Sequence, residues 1–218
     1  MIRLTAGALL ADLDGTLVDS HGSIERAWVR WCGYRDVDLA RVMRIMPGRT
    51  AQSVFVEVAP ALSAAEAAAD AERLLAWQVE DTDGVVALPG AADLLATLPP
   101  ERWAVVTSGN RPLALARLLA ARLPLPAALV TTEAVRVGKP DPEGYLLAAA
   151  RLGVEPGDCV VLEDAPVGVA AGRAAGMPVL AVGTSVPRGE LAEATWWVPG
   201  LDTVRAGVKA GRVTLSAA

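Results

Sequence analysis

Short apolar runs punctuated by turn residues recur along the chain. They are Ala8–Leu13, Trp103–Thr107, Ala127–Thr131, Cys159–Leu162 and Pro178–Val182, with a weaker one at Thr195–Val198. None alternates polar with apolar positions. Unbroken runs of this length suit strands buried on both faces, as in a parallel sheet. Between them lie segments with the length and composition of crossover helices: Ala91–Leu98, Leu113–Leu123, Glu143–Leu152 and Val167–Ala175. The tail Leu201–Ala210 reads as one more helix. Strand and helix alternate from residue 85 onward, which predicts an α/β fold with a doubly wound, Rossmann-like parallel sheet.

One block breaks the alternation. After Asp19 no strand signal occurs until the return turn "DTDGVVALPG" at Asp81–Gly90. Ser23–Tyr34, Val37–Ile45, Thr50–Ala59 and Ala64–Val79 all read as helices, and Ser63 followed by Glu66 is a capping-box pattern opening the last of them. The expected division is an α/β core from residues 1–17 and 84–218 with an inserted all-α cap at 18–83. Inserted after the first strand, such a cap sits over the C-terminal ends of the strands, where open α/β sheets bind ligands. Trp28, Trp31 and Trp77 fall at helical spacings and are expected in the cap's own core.

The chain has 218 residues, 53% of them hydrophobic and 21% charged, with a net charge of −5. That composition excludes a disordered chain. It also argues against nucleic acid as a partner, which calls for a basic footprint. No apolar stretch reaches about 18 residues without a charge or proline, so no membrane span is expected. The start, Met1–Gly7, lacks the apolar region of a signal peptide. Cys32 and Cys159 are too few for a disulfide framework or a zinc site, and are expected as reduced thiols of a cytoplasmic protein.

Chemistry gathers where the apolar runs end. The first closes in "DLDGT" (Asp12–Thr16), the second in "TSGN" (Thr107–Asn110) and the fourth in Glu163-Asp164. "GKPDP" (Gly138–Pro142) precedes the helix leading to that fourth run. In a parallel sheet these ends share one edge. Carboxylates crowded there repel and resist loss of water, so they require a cation. A hard divalent ion suits oxygen ligands, with Asp12 and Asp164 as the expected carboxylates. The lysine, hydroxyls and Gly-rich turns favour an anion such as phosphate. A metal and a phosphate meeting at an aspartate is a layout for phosphoryl transfer. Asp12 and Asp14 lie two apart, so on an extended backbone both side chains point the same way. One can attack phosphorus while the other carries a proton for the leaving oxygen. Mg²⁺ and Lys139 would neutralise the pair.

"DLDGTLVDS", "VVTSGN", "GKPDPEGY" and "LEDAPVGVAAGRAAGM" resemble, in order, the four motifs of the haloacid dehalogenase superfamily of phosphatases. The helical insert resembles its subfamily with a cap after the first motif. "PGRTAQSV", "VVALPGA", "WAVVTSGN" and "GKPDPEGYLLAA" are similar to its sugar- and polyol-phosphate phosphatases, the hexitol, 2-deoxyglucose-6-phosphate and glycerol-phosphate groups. The resemblance covers roughly residues 8–185. It implies Mg²⁺-dependent hydrolysis of a small phosphorylated sugar or sugar alcohol through an aspartyl-phosphate. Asp12 is then the nucleophile. Asp14 is the general acid, later the base for water, and its backbone carbonyl joins Asp12 and Asp164 as a metal ligand. Thr107 and Lys139 hold the phosphate, with backbone help from Leu13 and Ser108. Glu163 supports the site, either as a ligand, from behind one, or paired with Lys139.

Arg49, beside Thr50 at a break between helices, suits a sugar oxygen or a second anion. His21, the one histidine, and Glu25 lie near the hinge and are candidates for substrate contact. Asn110 is expected either to reach the site or to cap the next helix. The resemblance extends to phosphohexomutases, which share the fold and cap; it implies a histidine at their hinge where Ile24 stands here, and that departure favours hydrolysis. A phospho-receiver signalling domain also gathers acids, a Thr/Ser and a Lys, but its acceptor stands alone and it carries no helical insert. The expected partner is a small phosphorylated molecule, met by a monomer or weak dimer.

Overall fold

The computed structural model describes residues 2–46 and 50–217. The chain opens with β1 (Ile2–Ala6), turns at Gly7 and enters β2 (Ala8–Ala11). After β3 (Val18–Asp19) come four helices, α1 (His21–Arg35), α2 (Leu39–Ile45), α3 (Ala51–Val58) and α4 (Ala64–Glu80), and then β4 (Val86–Ala87). The rest alternates: α5 (Ala91–Ala96), β5 (Trp103–Val106), α6 (Arg111–Ala120), β6 (Ala128–Val130), α7 (Glu143–Leu152), β7 (Cys159–Glu163), α8 (Pro166–Ala174), β8 (Val179–Val182) and β9 (Trp196–Val198). The hairpin β10 (Val204–Lys209) and β11 (Arg212–Ala217) closes it.

Six strands form a parallel sheet in the order β6-β5-β2-β7-β8-β9. Alternate residues of each strand enter two separate apolar layers. Leu9, Val105, Val160 and Leu180 join one, and Leu10, Ala104, Val161 and Val179 the other. Both faces are covered, so both sets of residues are apolar and the runs read as unbroken. Helices α5 and α6 contribute to the first layer, α7 and α8 to the second. β2 lies between β5 and β7, which leave it in opposite directions through the sheet. Beyond its C-terminal end is the crevice that this topology reserves for ligands.

The inserted helices carry a core of their own. Trp31 stacks on Phe55 with centroids 4.7 Å apart, and Trp28 meets both rings edge-on. Truncating a buried Trp such as Trp31 to Ala costs about 3–5 kcal/mol. Trp77 packs at the edge of this cluster, with Arg30 over its face at 4.3 Å. The Ser63–Glu66 capping box forms at the start of α4. The two chain passages between core and insert run side by side as the antiparallel pair β3–β4, with Val18 opposite Ala87. Ser23 Oγ donates to Asp81 O at 2.6 Å, and Arg26 grips the Asp81 carboxylate, binding the start of α1 to the end of α4.

The ends of the chain depart from expectation. The predicted helix Leu201–Ala210 is a short 3-10 turn at Leu201–Thr203 followed by strand β10. Val204, Ala206 and Val208 alternate with polar or small residues, as do Val213, Leu215 and Ala217, which is the two-residue period of a half-buried strand. Ala210 and Gly211 turn between them with φ of 50° and 73°, the geometry of a tight two-residue hairpin. β1 pairs with β11, making a three-stranded antiparallel sheet over the first apolar layer. β2 itself ends at Ala11, so the residues predicted to finish it, Asp12 and Leu13, lie just beyond the pairing. Cys32 and Cys159 are buried free thiols; burial pushes Cys159 up to about 11.

Candidate active site

The backbone leaving β2 sets the geometry. Asp12 N still donates to Leu162 O at 3.0 Å, while Leu17 and Val18 fold back to donate to Leu13 O at 2.9 Å each. Gly15 makes the turn at a φ of 82°. A Cβ there would run into Asp164 Oδ2 and Ser185 Oγ, so the position requires glycine on both counts. The turn leaves Asp12 buried and the Asp14 side chain 22% exposed. Thr16 is fully buried and donates to Asp164 Oδ1 at 2.9 Å.

Lys139 stands at the centre. Its ammonium lies 2.5 Å from Asp12 Oδ1, 2.6 Å from Glu163 Oε1 and 3.0 Å from Val106 O. Burial works to lower its pKa, but the charges of Asp12 and Glu163 outweigh burial and hold it well above the ordinary lysine range. The loop bearing it is fastened to α7, because the Glu143 carboxylate accepts from Arg136 N at 3.0 Å and Val137 N at 3.1 Å.

Glu163 is saturated. One oxygen accepts from Lys139 and from Tyr145 Oη at 2.7 Å; the other accepts from the backbone of Asp164 and Ala165. It sits under α8, where Gly168 leaves room: a Cβ there would overlap the Glu163 carboxylate. Of the roles open to Glu163 in the sequence, the structure shows pairing with Lys139.

Asp12, Glu163 and Asp164 each offer a carboxylate oxygen within 4.8 Å of the others. Burial is the main cause that raises Asp12 well above the usual carboxylate range, although Lys139 opposes it. Burial, then the Glu163 charge, pushes Asp164 up to about 7. One ammonium faces three carboxylates, and the donors are hard oxygens. That set fits a divalent cation such as Mg²⁺; both Glu163 oxygens are committed to hydrogen bonds, which leaves Asp12 and Asp164 to offer theirs.

Thr107 and Ser108 follow β5 beside Asp12's strand. Thr107 is buried, and its Oγ1 accepts from Gly109 N at 3.0 Å; Ser108 is exposed. Asn110 spends its side-chain oxygen on the α6 N-terminus, accepting from Leu113 N at 3.0 Å, which is the capping use of that residue. His21 and Glu25 are exposed on the first turns of α1. Arg49 lies outside the described residues.

Four site residues went unread in the sequence. Tyr145, in a helix of apolar neighbours, carries only its hydroxyl as a signal. Ser20 donates to Asp14 Oδ1 at 2.6 Å, and Arg117 from α6 pairs with Asp14 Oδ2. Gln78 of α4 accepts from Arg117 at 2.5 Å.

The family of haloacid dehalogenase-like hydrolases matches this sequence over residues 7–176. The chain belongs to that family. This hydrolase is 45% identical over 175 residues to hexitol phosphatase A of Escherichia coli, covering 79% of this chain and 81% of that protein. It is 32% identical to 2-deoxyglucose-6-phosphate phosphatase 1 of Saccharomyces cerevisiae, over 89% and 87% of the two chains. β-Phosphoglucomutase from Clostridium difficile superposes with a TM-score of 0.78 over 92% of this chain and 93% of its own. At 22% identity that likeness concerns the fold alone.

Proposed function

We propose that this hydrolase releases phosphate from a small phosphorylated sugar or sugar alcohol through an aspartyl-phosphate on Asp12. The observation that carries the reading is the buried Asp12–Lys139–Glu163 contact, with Asp164 beside it. The names and identities of the hexitol and deoxyglucose phosphatases support the substrate class.

In this reading an Asp12 oxygen attacks phosphorus and the bond to the leaving oxygen breaks. Asp14 gives its proton to that oxygen, and the alcohol departs. Asp14 then takes a proton from water as the water oxygen attacks phosphorus, freeing Asp12 and inorganic phosphate. Lys139 and Thr107, with the backbone of Leu13 and Ser108, hold the phosphoryl oxygens. Lys139 also offsets the charge of Asp12, and Glu163 with Tyr145 keeps the ammonium in place. Mg²⁺ held by the Asp12 and Asp164 carboxylates and the Asp14 carbonyl would supply further positive charge against the phosphoryl group.

The same reading divides the chain into a core of residues 1–17 and 84–218 and a cap of 18–83, supported by the separate cap cluster around Trp31 and by the β3–β4 passage. The cap excludes water that is not positioned for attack, and its residues, Arg49, His21 and Glu25 among them, select the sugar. The protein acts as a cytoplasmic monomer or weak dimer without nucleic-acid or membrane partners. The buried free thiols support a reducing compartment, and among the described residues no helix is long and apolar enough to cross a membrane. A mutase of the same fold is the second reading. Ile24, packed against the cap's apolar cluster, offers no proton carrier at that hinge and supports hydrolysis instead.

Phosphate release from a panel of hexose, hexitol, glycerol and nucleoside monophosphates, with Mg²⁺ and with EDTA, tests this. Metal-dependent release favouring hexose or hexitol phosphates is expected. Isomerisation without release would support the mutase, and release from nucleotides alone would overturn the substrate class.

A further inference from the structure

We propose that Arg117 is a positioning residue for Asp14, itself set in place from the cap by Gln78. The proposal rests on the reading of Asp14 as proton donor and acceptor given above.

Arg117 sits on α6 and is 3% exposed. One terminal nitrogen pairs with Asp14 Oδ2, and the other donates to Gln78 Oε1 at 2.5 Å. Gln78 belongs to α4 of the cap, which packs against α6. Its own amide nitrogen is spent on Leu74 O at 3.1 Å, which turns its oxygen toward Arg117. Ser20, at the entry to α1, holds the other Asp14 oxygen at 2.6 Å. Both carboxylate oxygens are therefore fixed, and each tie leads to an element that joins core and cap.

Stability does not account for this arginine. Its neighbours on α6, Leu113, Ala114 and Leu118, are buried and apolar, and a leucine would continue that face. Instead a cation is withdrawn from water with its Nε left without a partner. A buried, unsatisfied donor on a charged group is unfavourable, and what the protein obtains is one orientation of Asp14 governed by the seat of α4. Arg117 touches Asp14 and Gln78, and in this proposal it acts through Asp14.

The test compares two substrates that differ in their need for a proton. From a hexitol or glycerol phosphate the departing alkoxide requires protonation; from p-nitrophenyl phosphate the departing p-nitrophenolate is stable and does not. Steady-state rates are measured for wild type, Arg117→Met, Gln78→Met, the double variant and Asp14→Asn, with thermal unfolding of each. Arg117→Met is expected to lose roughly 10- to 100-fold in kcat/KM on the alkyl phosphate, a share of the 10²–10⁴ that a placed proton donor contributes. On p-nitrophenyl phosphate its kcat/KM stays within about threefold while kcat falls, because water attack on the phosphoenzyme still needs Asp14. Gln78→Met shows the same pattern more weakly and adds nothing in the Arg117→Met background.

Equal losses on both substrates, or none, overturn the proposal. If Arg117→Met does not fold, Gln78→Met, which keeps the Asp14–Arg117 pair, carries the same comparison. Asp14→Asn separates the two readings. If it discriminates between the substrates and Arg117→Met does not, this proposal alone fails. If Asp14→Asn itself loses equally on both, the proton role of Asp14 fails and this proposal with it.

Discussion

The Lys139 ammonium lies 2.5 Å from an Asp12 carboxylate oxygen, and the two side chains are only 9% and 12% exposed. Each is the main compensation for the other's loss of water, and Glu163 is the lysine's second partner. Removing one member of such a buried pair costs roughly 3–5 kcal/mol, because a charge is left without a partner. Lys139→Met is therefore expected to lower metal-free stability by that amount and to abolish turnover. Chemical denaturation without metal checks it; a loss below about 1 kcal/mol would mean that the pair is not the compensation described.

Metal and pH act on the same carboxylates. Burial and the Glu163 charge push Asp164 up to about 7, against roughly 3.9 in the unfolded chain. Folding thus takes up a proton between these values. The contribution is full below about pH 4 and is lost as pH rises through about 7. Asp12 moves in the same direction, chiefly through burial. The metal-free protein should lose stability from about pH 4 to pH 7, while stabilisation by Mg²⁺, which needs ionised carboxylates, grows over that interval. At a hundred times its Kd the metal contributes about 2.7 kcal/mol, roughly 5–10 °C in Tm for a chain of this size. Asp164→Asn should flatten both trends. A Mg²⁺ shift that ignores pH and survives Asp164→Asn would contradict the assignment.

The space under α8 is equally specific. Gly168→Ala would drive a methyl into the Glu163 carboxylate, displacing it from Lys139 and Tyr145. The expected outcome is at least about a 10²-fold loss in kcat, since a displacement near 1 Å is enough for that. Gly157→Ala, whose added methyl would meet only open space and whose φ is unexceptional, is the control and should be neutral. Activity retained in Gly168→Ala would mean that Glu163 is dispensable.

In the cap, Asp70 is buried and accepts from Trp31 Nε1 at 2.9 Å and from Arg35 and Arg73 at 2.6 Å each. Burial alone would raise it. Hydrogen bonds from Arg35 and Trp31 and the arginine charges outweigh burial and leave it below the ordinary range. Its contribution is present above the unfolded pKa and is lost as pH falls through the folded one. Asp70→Asn should destabilise the protein by roughly 1–3 kcal/mol near neutral pH and by less in acid. Equal destabilisation at both would contradict this.

The carboxylate-rich edge was legible because its residues follow short apolar runs, and a parallel sheet brings such ends together whatever their separation in sequence. Asp12, Thr107 and Asp164 are placed by that rule, and Lys139 by the loop that leads into α7. The end of the chain misled because the two-residue alternation Val204, Ala206, Val208 is short and carries only one large side chain type, too little to stand out from a helical reading. Arg117 and Gln78 escaped for another reason. Each lies on the buried stripe of its helix, Arg117 beside Ala114 and Leu118, Gln78 one turn from Leu74. A polar side chain inside an apolar stripe was a signal, but its partners belong to another element and only the packing of α4 on α6 reveals them. Asn110 was ambiguous because a cap and a ligand contact use the same oxygen.

The central claim is that Asp12 accepts the phosphoryl group. The most direct measurement is a single turnover with a ³²P-labelled hexitol phosphate and Mg²⁺, quenched in acid within milliseconds and digested to peptides. Transient label on the peptide containing Asp12, absent in Asp12→Asn together with turnover, is the predicted result. Inorganic phosphate formed without any protein-bound label, at an undiminished rate in Asp12→Asn, would contradict it.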